Sequence, residues 1–122
     1  MRRRESGRLA RLRGRRAELL AAWWLRLKGF RILAQDQRTP VGEIDLVARR
    51  GRLLLFVEVK ARPDDGRARE ALRPAQQARI ARAAAWFLSG RPDLQGLDSR
   101  YDVVLVTPWR RPRHLADAWR DT

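Results

Sequence analysis

The sequence predicts an α/β domain, a mixed four-stranded sheet with helices packed on it, in the order α-β-β-β-α-β. Three observations carry this expectation. Two long stretches place apolar residues at helical spacing, four shorter ones alternate or run apolar as strands do, and the last strand follows a helix rather than a hairpin turn. At 122 residues the chain has room for one ordinary core.

The first helix is expected from about Gly14 to Lys28, "GRRAELLAAWWLRLK", where Leu19, Leu20, Trp23, Trp24 and Leu27 recur at helical intervals and Gly29 closes the run. In "FRILAQDQR", Phe30, Ile32 and Ala34 alternate with Arg31 and Gln35 as a first strand, and "TPVG" breaks it. "GEIDLVARRGRLLLFVEVKAR" then reads as two strands around Gly51, and "PDDGRARE" at 63–70 as a polar loop. Pro74 suits the first turn of a helix reaching about Leu88, with Gln77, Ile80, Ala81, Ala84, Phe87 and Leu88 on one stripe. The unbroken Val103–Val106 run of "YDVVLVTP" predicts a strand buried on both faces. The domain is thus expected over 14–108, between a basic arm at 1–13 and a basic tail at 109–122 that holds Trp109, His114 and Trp119.

Lysine and arginine number 28 against 14 aspartates and glutamates, a net charge of +14 that favours a polyanionic partner, nucleic acid first. Arg2, Arg3, Arg4, Arg8, Arg11 and Arg13 of the arm, with Arg62, are the candidate phosphate contacts; the bland alternative is a solvated arm. No long apolar stretch and no signal-like segment appear, and the arm lacks an apolar insertion face, so the expectation is a cytoplasmic protein with no membrane partner. With no cysteine and only His114 as imidazole, thiolate and multi-histidine metal sites are excluded, and any metal must sit on oxygen ligands. His114 reads as a surface residue, Asp102 as an acid tying down a loop or pairing with arginine, and Trp23 and Trp24 as core or a homodimer interface.

The hairpin carries charge where a core would want none. Glu58 and Lys60 share one face of the second strand, and a two-residue Gly51-Arg52 turn would pair Arg50 with Leu53, Asp45 with Glu58 and Glu43 with Lys60, while the rival Arg50-Gly51 turn would put Glu43 opposite Glu58 with all four charges still on one face. Opposed carboxylates repel, more so when desolvated, unless a cation lies between them. A hard ion such as Mg²⁺ takes one or two carboxylates plus water and phosphate oxygens, which Asp45 and Glu58 offer, and Lys60 would stand beside it. The alternative is a solvated face with Glu43 and Lys60 as an ordinary cross-strand ion pair.

The segments Gly42-Glu43-Ile44-Asp45-Leu46-Val47 and Phe56-Val57-Glu58-Val59-Lys60-Ala61-Arg62 closely resemble the YraN-like family of small bacterial proteins and, more broadly, the PD-(D/E)xK nuclease superfamily. The likeness takes in the opening helix and first strand, the second helix and "YDVVLV", and stops short of residues 1–13 and the tail beyond about 108. It implies a restriction endonuclease-like core and a nuclease dependent on Mg²⁺ or Mn²⁺, with branched DNA among its candidate substrates. By position it makes Asp45 and Glu58 metal ligands, Lys60 the residue assisting the attacking water, Glu18 an auxiliary acid and Gln77 a phosphate neighbour. Gln76 and Asp36 depart from the lysine and asparagine usual in the family. The rival reading is a non-catalytic nucleic-acid-binding module that keeps the fold.

Overall fold

The computed structural model describes residues 2–63 and 72–120, with side chains from Gly14 onward. Helix α1 (Arg2–Leu27) leads into β1 (Arg31–Thr39), β2 (Gly42–Arg50) and β3 (Leu53–Ala61); α2 (Pro74–Ser89), a 3₁₀ turn (Pro92–Leu94), β4 (Asp98–Val106) and β5 (Arg113–Trp119) follow. The strands form one mixed sheet in the order β1-β2-β3-β4-β5, antiparallel throughout except for the parallel β3–β4 pair. A parallel pair needs a crossover, and α2 supplies it.

Alternation along the central strands sends apolar side chains to both faces, and each face meets a helix. Leu46, Ala48, Leu55, Val57 and Val104 pack with Ala21, Ala22 and Leu25 of α1. Val47, Leu54 and Phe56 pack with Ala83, Ala84 and Phe87 of α2. Alanines on the inner faces of both helices let the helix backbones approach the sheet closely. Val103, Val104 and Leu105 are buried, as a strand covered on both faces requires.

The sheet has five strands rather than four. The fifth comes from "RHLADAW", which has the polar look of a tail because it is an edge strand with only Leu115 and Trp119 as large apolar residues. It is held through backbone pairing, Val103 with Leu115 and Val104 with His114, and by Trp119 stacked on Tyr101 at 3.9 Å between ring centroids. The first helix also begins earlier than expected: its backbone is helical from Arg2. The side chains of Arg2, Arg3, Arg4, Arg8, Arg11 and Arg13 lie outside the described residues, as does most of the 63–70 loop.

Candidate functional site

The β2–β3 turn takes the register expected of it. Arg50 pairs with Leu53, leaving Gly51-Arg52 as the turn, and Gly51 has φ +60°, which glycine adopts without strain. The ladder runs from there to Leu46↔Val57. One step beyond, where Asp45 would oppose Glu58, side chains take over from the backbone: the Val59 N–H donates to Asp45 Oδ2 at 2.8 Å. A carboxylate thus stands in for a main-chain acceptor as the two strands part.

Asp45 and Glu58 lie together at this opening, close enough for each to act on the other's carboxyl. Burial, together with the Asp45 charge, pushes Glu58 up to about 7, and burial also raises Asp45. Two such groups do not both ionise cheaply. Lys60 Nζ lies 3.5 Å from Glu58 Oε1, with the side chains only 15% and 20% exposed. Its charge offsets part of the desolvation of the pair without cancelling it.

Glu18 approaches from α1. Partial burial, then the charges of Asp45, Asp36 and Glu43, raise its carboxyl to about 7. The Glu43–Lys60 ion pair of the alternative, solvated-face reading does not form: Glu43 pairs with Arg38 on β1 at 3.5 Å, because β1 is its hydrogen-bonded neighbour, and Lys60 turns to Glu58 on its own strand. Asp36 enters the group unforeseen. The β1–β2 register, Gln35↔Leu46 and Gln37↔Ile44, brackets it opposite Asp45, and its φ of +50° marks a local kink. The β2–β3 hairpin, read alone from the sequence, gives no access to that register.

Gln77 is placed elsewhere in its chemistry. It sits in the first turn of α2, where its amide donates to the Leu72 carbonyl at 3.1 Å and ties down the loop before the helix. Arg62 is exposed just past β3, its guanidinium donating to the Ala61 carbonyl.

Among the described residues no group of three or more histidine, aspartate or glutamate side chains converges as a metal cage. The contacting set is the Asp45–Glu58 pair, with Glu18 acting on it through its charge. That set still suits a hard divalent ion, which takes one or two carboxylates and completes its shell with water and phosphate oxygens. Asp45 uses Oδ2 for the Val59 N–H and has its other carboxylate oxygen besides.

A second buried carboxylate contrasts with this pair. Asp102 on β4 is fully buried and fully served: the Arg100 guanidinium donates to both its oxygens at 2.8 Å, His114 Nε2 lies 2.6 Å from Oδ2, and the Asp117 N–H donates to Oδ1. These bonds outweigh burial and hold its pKa near 2. The His114 side chain, expected at the surface, is instead only 5% exposed, because β5 carries it onto Asp102. Its other nitrogen, Nδ1, meets Lys28 Nζ at 2.9 Å. The pairing of Asp102 with an arginine is as expected.

With this geometry in place, comparison with known proteins gives the family. Residues 17–106 match the uncharacterised protein family UPF0102. The chain belongs to that family. It is 60% identical over 107 residues to a UPF0102 protein of Parvibaculum lavamentivorans, covering 88% of this chain and 80% of the relative. A UPF0102 protein of Paramagnetospirillum magneticum is 56% identical over 115 residues, covering 91% and 89%, and one of Caulobacter vibrioides 48% identical over 117 residues, covering 96% and 94%. The family match spans Glu18, Asp45, Glu58, Lys60 and Gln77 and ends at the last residue of β4. No helix among the described residues is long and apolar enough to cross a membrane.

Proposed function

We propose that the protein is a divalent-metal-dependent nuclease with a restriction endonuclease-like fold, hydrolysing phosphodiester bonds in nucleic acid, DNA ahead of RNA. The observation that carries this reading is the Asp45–Glu58 pair. On a chain of net charge +14, two carboxylates are held together, mostly buried and with few positive partners among the described residues, beside one of the only two lysines. Uncompensated acids of this kind cost stability, and sites that bear such a cost are where function is found.

Asp45 and Glu58 would hold Mg²⁺ or Mn²⁺, which when bound polarises a phosphoryl oxygen and eases deprotonation of water. The Val59 N–H fixes Asp45 in one orientation, so its remaining oxygen is presented without a search through rotamers. Lys60, anchored by Glu58, offers a short cationic donor to a phosphate or an incoming water. Glu18, with its pKa near 7, can take or give a proton at neutral pH. Gln77 would reach a phosphate only by giving up the Leu72 carbonyl.

Divalent-dependent cleavage of labelled duplex and branched DNA, measured for wild type, Asp45→Asn and Lys60→Ala, tests the reading. The expected outcome is loss of about 10³-fold or more in Asp45→Asn with nucleic-acid binding kept. Cleavage undiminished in either variant would overturn it. A second reading, a binding module that keeps the fold without the chemistry, is favoured by the pair standing without a third converging carboxylate among the described residues. That reading expects binding by the wild type and no cleavage in any divalent metal.

A further inference from the structure

The turn after β4 holds a residue that nothing in the fold requires. Thr107 is buried, and its carbonyl accepts the Arg110 N–H at 3.4 Å, closing a four-residue turn. Pro108 takes the second position, where its fixed φ is suitable, and the third is Trp109, with φ +64°. That conformation belongs to glycine or asparagine; for a bulky side chain it is a genuine outlier. Packing gives no return for it, because Trp109 is 102% exposed. An indole held in a strained turn and kept in solvent points to a task outside the fold.

The sheet topology says where that task lies. β3 and β4 run parallel in the register Lys60↔Leu105 and Ala61↔Val106, and the Arg62 N–H donates to the Val106 carbonyl at 3.0 Å. The chain therefore leaves β4 at the same end of the sheet at which β3 delivers Glu58 and Lys60. Trp109 follows Val106 by three residues. Its neighbours Arg110 and Arg111 are exposed, and Arg62 is exposed across the strand pair.

We propose that Trp109 is a base-stacking residue that selects nucleic acid with unpaired, unstacked bases at the Asp45–Glu58 end of the sheet. An exposed indole flanked by arginines fits single-stranded nucleic acid, since bases stack on aromatic faces irrespective of sequence while arginines follow the backbone. Bases inside a continuous duplex are already stacked on each other, so the gain falls on forks, gaps and branch points. Pro108 and the turn hydrogen bond restrict the loop, which lowers the ordering cost of engagement. The proposal rests on the nucleic-acid part of the function above and on none of its chemistry.

The test is binding in EDTA, so that no cleavage enters, to a forked DNA with single-stranded arms and to a blunt duplex of equal length. Trp109→Gly is the informative variant, because glycine suits the turn and should leave thermal stability equal or higher. Expected is a loss of roughly tenfold or more on the fork and under about twofold on the duplex, with Trp109→Phe retaining most of the fork affinity. Equal affinities of wild type and Trp109→Gly for the fork would overturn the proposal and leave the indole to a protein or lipid partner. Parallel losses on fork and duplex would overturn the selectivity, and a lowered melting temperature with lost binding would make the residue structural. Fork binding that depends on Trp109 in a wild type that never cleaves would overturn the nuclease reading alone.

Discussion

Two buried acidic sites sit in one sheet and are treated in opposite ways. Asp102 receives a bidentate arginine, a histidine and a backbone N–H, and its pKa falls to about 2. Among the described residues Asp45 and Glu58 receive one backbone N–H and one lysine between them, and burial wins: Glu58 rises to about 7. Similar side chains lie on neighbouring strands, so the difference is in the partners supplied. An acid that holds a structure together is saturated; the hairpin pair is not.

The largest effect should come from breaking the saturated site. Asp102→Ala strands Arg100 and His114 without their anion and should cost about 3–5 kcal/mol by chemical denaturation, with β5 released from β4. A loss under about 1 kcal/mol would mean that Asp102 holds nothing.

Acid and base sharpen the contrast next, because the two sites answer pH with opposite signs. The Asp102 contribution is present above its ordinary value of 3.8 and is lost as pH falls through about 2. Glu58 is raised from 4.5 to about 7, so its contribution is full below about 4.5 and lost as pH rises through about 7. Melting in EDTA should therefore show stability declining between those values by up to about 3 kcal/mol, and Glu58→Gln should flatten the decline. Added Mn²⁺ should restore stability at the alkaline end of that window; no metal effect there would argue against ligation by the pair.

A smaller effect of opposite sign is expected at Asp45. Asp45→Asn keeps an oxygen for the Val59 N–H and removes a charge from the pair, so in EDTA it should equal wild type or gain about 1 kcal/mol. A clear loss would move Asp45 into the same class as Asp102. Smallest per residue is the arm. Removing residues 1–13 should lower the slope of log K against log salt on duplex DNA by at most about 0.9 for each phosphate no longer neutralised, with cleavage at saturating DNA retained.

What the sequence discloses follows from which interactions are local. Apolar spacing in "AAWWLRL" and "ARAAAWFL" marks two helices, although the inner face of the first is Ala17, Ala21, Ala22 and Leu25 while the expected Leu19, Leu20, Trp23 and Leu27 are exposed, and Gly51 with alternating Leu53 to Lys60 marks the hairpin in its observed register. Asp45 and Glu58 are legible for the same reason. The fifth strand is not, since an edge strand needs little apolar content and "RHLADAW" shows little. His114 is misread with it: its burial depends on Asp102, twelve residues away across a strand pair that the sequence does not announce. Glu43 is misassigned because its real neighbour, Arg38, lies across β1 rather than β3.

The single parallel pair also sets an order of assembly. β1, β2 and β3 form a meander joined by tight turns, and the Asp45–Val59 bond closes over fourteen residues. β4 reaches β3 only after the crossover through α2, joining Lys60 to Leu105 across a far longer stretch of chain. Until then one edge of Leu53–Ala61, rich in leucine and valine, has no hydrogen-bonding neighbour, which is the usual template for association between chains. A ribosome-bound or truncated chain ending before residue 98 would thus carry its acid pair on an open sheet edge, and insolubility would be the first symptom of its incompleteness.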